Sequence, residues 1–344
     1  MELNTMLKYM RQRWETTGRK MPLTATDEKA FRNWKRALTS KLFELIGYHT
    51  MKKAELEPQL DETVDCGGFL RHHVTIQTEP NVFMPLYVLE PKDVEKPLTP
   101  IIAAHGHVSG GMVSVAGIDD DPLIRQTIRQ HNYDYGRQLC IEGFLVFCPE
   151  ARGFGERKEP DSDTDKLNGS CSRLNAMAYA LGQTVVGMWT WDIHRLIDYI
   201  EARKDCDITK LTCLGLSGGG LQTLWAAALD ERIRSAVISG YFYGFEQSLL
   251  EKECCWCNYV PHLFEYVDIG DIGALIAPRP LLIETGDQDS LNGRDGVKNV
   301  ENAIDTVRQA YRIYNSEDKL IHSIQSGEHQ WYGNGVVEWL QNNE

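Results

Sequence analysis

Apolar residues fall along this chain in two rhythms. Over Lys29 to Gly47, the residues Phe31, Trp34, Leu38, Leu42, Phe43 and Leu45-Ile46 recur close to helical spacing and Gly47 supplies a stop, so residues 1 to about 60 are predicted to be helical. Phe69 to Gln77 and Val82 to Glu90 are β-rich runs parted by a turn around Glu79-Pro80-Asn81, and they predict an antiparallel pair at a sheet edge. From Pro100 onward strand and helix signals alternate. They run through Ile101 to Ala104, Tyr135 to Glu142, Phe144 to Cys148, Val185 to Arg203, Leu211 to Ala228 and Ser235 to Ser239. They continue through Leu281 to Thr285, Val297 to Tyr311, Leu320 to Gln325 and Gly335 to Gln341. Such alternation predicts an α/β fold with a mostly parallel central sheet and helices on both faces. The predicted organisation is an N-terminal helical extension, 1–65, and one large domain, 66–344, interrupted near 108–133 and 241–277. Excursions after strands lie at the carboxyl edge of such a sheet, where ligands bind, so these two are candidate pocket walls. The aromatic residues of the second, Tyr241 and Trp256 among them, suit a pocket wall and plain packing equally well.

Composition narrows the class. At 344 residues, 42% hydrophobic and 25% charged, the chain has ordinary globular composition and can bury a large core. A formal net charge of −13 argues against general affinity for nucleic acid or anionic membranes. Met1 to Arg11 has no uninterrupted apolar run of the secretory kind, and no stretch approaches the roughly 18 apolar residues of a membrane span. Nine scattered cysteines, an odd number, point to reduced thiols and a cytoplasmic location rather than a disulfide framework. The N-terminal helices offer a surface for self-association, so a homo-oligomer stays open.

The chemistry gathers around Leu211 to Ala228, which reads as a buried strand driven straight into an Ala-rich helix. At the join, Gly215-Leu216-Ser217-Gly218-Gly219 fits the G-x-S-x-G nucleophile elbow. The alternative is a glycine-rich turn whose serine merely caps the helix. A serine nucleophile needs a base, and the base needs an orienting acid, in the chain order Ser, Asp or Glu, His. Leu281 to Asp289 is a strand opening into a loop with Asp287 and Asp289; the second lies deeper in the loop and is preferred, with Asp287 as the alternative. Of the histidines beyond it, His322 falls inside a predicted strand, whereas His329 sits in the loop after it and is the candidate base. The oxyanion donors expected are the backbone N–H groups of Gly218 and, after the strand Ile102 to Ala104, of His107. His105, Arg152, Tyr241 and Trp256 are further pocket candidates, with Arg152 able either to bind a carboxylate or to brace a loop. No metal site is expected: His105 and His107 lack a paired acidic ligand, and Cys254 and Cys257, though spaced C-x-x-C, are followed by no second pair.

With Ser217, Asp289, His329 and the His105-Gly106 loop in place, the chain resembles the α/β-hydrolase superfamily over about residues 70–344, in its dienelactone-hydrolase-like and acetyl-xylan-esterase-like branch. Pro149-Glu150-Ala151-Arg152-Gly153-Phe154-Gly155, Trp191-Asp192-Ile193-His194-Arg195 and Ile276-Ala277-Pro278-Arg279-Pro280 are similar to that branch too. The resemblance implies cleavage of carboxylic esters of small molecules, short acyl groups and acetyl esters on sugars, with no metal or organic cofactor. Serine in place of the cysteine of dienelactone hydrolases favours an esterase. A prolyl-oligopeptidase-like peptidase and a catalytically inactive binding module are the competing classes.

Overall fold

This computed structural model describes residues 5–160 and 165–343; Met1 to Asn4, which head the predicted extension, lie outside the described residues, as do 161–164 and Glu344. The strands are β1 (Gln59–Asp65), β2 (Phe69–Glu79), β3 (Val82–Pro91), β4 (Pro100–Ala104), β5 (Leu145–Pro149), β6 (Thr212–Leu216), β7 (Ser235–Ser239), β8 (Leu281–Gly286) and β9 (Leu320–Gln325). Among the described residues they form one sheet in the order β1-β2-β3-β5-β4-β6-β7-β8-β9. The pairs among β1, β2, β3 and β5 are antiparallel, and every pair from β5-β4 to β8-β9 is parallel.

Strands β4 to β8 are buried along their whole length, which is why they read as continuous apolar runs. Their side chains still alternate between two cores. Ile102, Phe147, Cys213, Ile238 and Ile283 enter one, with residues of the helices Glu28–Leu45, Val185–Ala202, Gly218–Leu229 and Val297–Ile313. Ile101, Val146, Leu214, Val237 and Leu282 enter the other, against the helices Tyr135–Ile141 and Val336–Asn342.

Two features depart from the sequence reading. The pair β2-β3 is not the sheet edge, because β1 adds outside β2; its residues are exposed except for half-buried Val64, so no apolar alternation betrays it. Residues 150–184 form a third excursion that carries the helix Cys171–Ala180. Among the described residues no helix is long and apolar enough to cross a membrane.

The stretch before β1 is more than a cover. The Asp27 side chain accepts from the Ala30 N–H at 2.9 Å, capping the helix Glu28–Leu45. That helix sends Phe31, Leu38 and Leu42 into the main core with no exposure. Phe31 packs at 5.4 Å, edge to face, on Tyr314 near the far end of the chain. Phe31→Ala is therefore expected to lower the unfolding free energy by about 3–5 kcal/mol in urea titrations; a loss below about 1 kcal/mol would mean that the helix adds nothing to the core.

Candidate active site

Ser217 stands between β6 and the helix Gly218–Leu229 with φ 59° and ψ −119°, a conformation that costs a residue with a β-carbon on the order of 1–3 kcal/mol. Its N–H donates to the Ser239 carbonyl at 2.9 Å, which pins the turn to the end of β7. Ser217 holds the N-cap position of that helix, but its side chain makes no capping hydrogen bond. The flanking glycines are required by contact. A β-carbon on Gly215 would lie 2.5 Å from the Ala104 carbonyl oxygen, and one on Gly219 would overlap the same atom.

Asp289 and His329 meet across two loops. The His329 Nδ1–H donates to Asp289 Oδ2 at 2.6 Å, with the Asp289 side chain 2% exposed and the His329 side chain 28% exposed. The other carboxylate oxygen, Oδ1, accepts from the Leu291 N–H at 2.8 Å, so backbone fixes the acid's direction. Asp287 is exposed and acts elsewhere: its Oδ1 accepts from the Gly327 N–H at 2.9 Å and ties down the loop that carries His329. His322 lies in β9, where its Nε2 is 3.1 Å from Thr285 Oγ1 and burial pushes its pKa down to about 4.

Two residues absent from the sequence reading support this loop. Buried Glu284 accepts from Ser239 Oγ at 2.7 Å, the Tyr332 N–H at 3.1 Å and the Gly333 N–H at 2.8 Å. His131 donates from Nδ1 to the His329 carbonyl at 2.9 Å. A charged residue inside an apolar strand is the one sequence signal that marked Glu284.

Gly218 opens its helix, so its N–H has no intrahelical carbonyl to meet. The loop after β4 presses against it: a β-carbon on Gly106 would lie 2.9 Å from the Gly218 nitrogen. Tyr133 Oη donates to the His107 carbonyl at 3.1 Å and holds that loop. His107, Ser217, Gly218, Tyr241, Trp256 and His329 all line one cavity of about 720 Å³.

His105 and Arg152, carried as possible pocket residues, are not among the residues lining it. The His105 side chain is 1% exposed, with Nε2 3.0 Å from Glu150 Oε1 and the ring 5.0 Å from that of Phe154. Arg152 bridges two carboxylates, reaching Asp192 at 2.8 and 2.9 Å and Glu79 at 2.8 Å, while Arg157 joins Asp192 at 2.8 Å. Burial pushes the Asp192 carboxyl up, but the Arg152 and Arg157 guanidiniums outweigh it and hold the group below the usual carboxylate range. This is the bracing arrangement. Arg152→Met should cost about 3–5 kcal/mol of stability and leave KM nearly unchanged, because it strands buried charge outside the cavity lining. The depressed Asp192 contributes stability above the ordinary pKa of 3.8 that is lost as pH falls below it, so the variant should also unfold with a shallower acid dependence. A raised KM with intact stability would put the guanidinium on substrate instead.

Cys254 turns its thiol to the Ser248 carbonyl at 3.3 Å, so the C-x-x-C pair does not converge. The fold instead gathers His107, Cys171, Cys255 and Cys257, whose donor atoms all lie within 4.8 Å of one another. Spacing could not reveal this set, because its members come from three excursions.

No family model matches the chain. Sheet order, elbow and loop placement are those of the α/β-hydrolase fold, and the chain has that fold. It is 27% identical over 228 residues to YtaP of Bacillus subtilis, a candidate hydrolase, covering 65% of this chain and 71% of that one. A crystal structure of a candidate acetyl xylan esterase from Bacteroides fragilis superposes with a TM-score of 0.80 at 17% identity, over 99% of this chain and 95% of that one. A glucuronoyl esterase from Solibacter usitatus superposes at 0.66 with 16% identity, over 93% and 95% of the two chains.

Proposed function

We propose that this chain is a serine hydrolase that cleaves carboxylic esters of short acyl groups on carbohydrates through an acyl-enzyme. The observation that carries the reading is that the strained Ser217, whose hydroxyl makes no capping bond, and the His329 held by Asp289 line one cavity. With Nδ1 committed to Asp289, the His329 Nε2 is the nitrogen left to take the Ser217 proton as Oγ attacks the ester carbonyl. Asp289 stabilises the resulting imidazolium. The Gly218 and His107 N–H groups receive the oxyanion, each such donor being worth about 10²–10³ in rate. His329 then protonates the departing alkoxide, and water releases the acyl group by the same route. The structural neighbours, a candidate acetyl xylan esterase and a glucuronoyl esterase, support an ester borne by a sugar. The cavity volume suits a small acyl group beside a monosaccharide unit. The odd number and scatter of the nine cysteines suit a reducing, cytoplasmic setting.

The test is hydrolysis of aryl esters from acetyl to decanoyl, acetylated sugars, a uronate methyl ester and one aminoacyl-anilide. Fastest turnover of the short and sugar-borne esters is expected. Preference for the anilide would move the protein to the peptidase class, and failure of Ser217 to react with a phosphonate probe would make it a binding module.

A further inference from the structure

We infer that His107, Cys171, Cys255 and Cys257 form a tetrahedral zinc site that fastens the wall of the cavity next to Ser217. Three thiols and an imidazole are the Cys₃His donor set of closed, structural zinc centres, and soft thiolates select zinc over magnesium or calcium. The distances fit. His107 Nε2 lies 3.2 Å from Cys257 Sγ and 3.5 Å from Cys171 Sγ. Zinc bond lengths of about 2.3 Å to sulfur and 2.0–2.1 Å to nitrogen place tetrahedral S and N neighbours about 3.6 Å apart. The Cys171 and Cys255 sulfurs stand 2.7 Å apart, too far for a disulfide bond of about 2.05 Å. Two sulfurs on one tetrahedral zinc stand about 3.8 Å apart, so seating the ion would part this pair by about 1 Å.

The ligands are drawn from three places that sequence separates widely. His107 follows β4, Cys171 begins the helix Cys171–Ala180, and Cys255 and Cys257 flank Trp256 in the excursion after β7. His107, Cys171, Cys255 and Trp256 line the cavity itself. A single ion would therefore cross-link three loops in the wall of the cavity. As it binds, three thiols ionise and release three protons to solvent, while His107 binds neutral through Nε2 and keeps its proton on Nδ1. That second nitrogen is turned to the elbow, lying 2.7 Å from the position of a β-carbon on Gly218. The ion thus fixes the tautomer and ring direction of the residue whose backbone borders the proposed oxyanion site. The zinc site does not depend on the esterase reading, and the readouts below are independent of turnover.

The experiment is elemental analysis of the full chain purified without chelator, followed by cobalt exchange. Near one zinc per chain is expected, and Co²⁺ should give thiolate charge-transfer bands with the visible bands of a tetrahedral centre. Cys255→Ser and Cys257→Ser should lose most of the metal after dialysis, whereas Cys206→Ser, outside the cluster, should retain it. Stripping with a phenanthroline chelator should speed amide exchange over residues 171–180 and 255–258 with the rest of the fold unchanged. Wild-type protein that retains no zinc and gives no tetrahedral cobalt spectrum overturns the inference without recourse to any variant. So does a count of two thiols fewer than nine in denaturant before reduction, which would mean a Cys171–Cys255 disulfide.

Discussion

Ser217→Ala should lower kcat for ester hydrolysis by about 10⁴–10⁶-fold while the protein stays folded. The magnitude follows from what is removed. Without Oγ no acyl-enzyme forms, and only the oxyanion donors and substrate positioning remain to assist direct attack by water, a residue of catalysis worth about 10³ over solution. A 10⁴-fold loss corresponds to about 5.5 kcal/mol of transition-state stabilisation. The elbow itself should persist, because its shape is imposed by Gly215 and Gly219 against Ala104 and by the Ser217 N–H on Ser239, none of which involves the hydroxyl. His329→Ala should cost a similar factor, and the double variant little more than either, since the two act as one unit. Retention of more than about a tenth of wild-type activity in Ser217→Ala, well outside those ranges, would sink the proposed mechanism.

Asp289→Asn and Asp287→Asn should differ by orders of magnitude although the two aspartates are separated by one residue. At position 289 the substitution puts an amide where Oδ2 receives the His329 Nδ1–H at 2.6 Å. The imidazole is then steered to the wrong tautomer, and a loss of about 10⁴ in kcat is expected, with KM nearly constant. At position 287 the carboxylate serves the Gly327 backbone from an exposed site, where a neutral amide oxygen can still accept. That variant should keep activity within about tenfold and lose at most about 1 kcal/mol of stability. Equal losses at both positions would mean that the loop, and not the acid, sets the rate. Steady-state kinetics paired with thermal unfolding of both variants separates the cases.

The elements legible in the sequence are those whose signal is local. β4 to β8 are short, fully buried and apolar, and the helices Glu28–Leu45 and Val297–Ile313 present one apolar face. β1 escaped because a polar, exposed strand, Gln-Leu-Asp-Glu-Thr-Val-Asp, owes its conformation to pairing with β2 rather than to burial. The helix Cys171–Ala180 escaped because it buries only Cys171, Asn175 and Ala178, which mark no apolar stripe. The same contrast holds at the site. Ser217, Asp289 and His329 each follow a strand end, where position along the chain implies position in space. His105 carried the same local signature as His107, and only the turn of the chain after β4 sends one ring onto Glu150 and the other to the cavity. A donor set drawn from three loops has no spacing to read.

The N-terminal helices also bear on how the chain matures on the ribosome. The Leu23 N–H donates to buried Asp271 at 2.9 Å, Arg19 pairs with the same carboxylate at 3.1 Å, and the Gln309 side chain donates to the Ala25 carbonyl from 284 residues away. Residues 19–25 are therefore synthesised 248 to 284 residues ahead of their docking partners. At about 5–20 residues per second they wait many seconds, with Phe31 and Leu38 exposed, until those partners leave the exit tunnel. Docking of this segment is consequently late relative to its own synthesis, and the apolar face of the helix Glu28–Leu45 is a stretch open to a holdase chaperone in the interval.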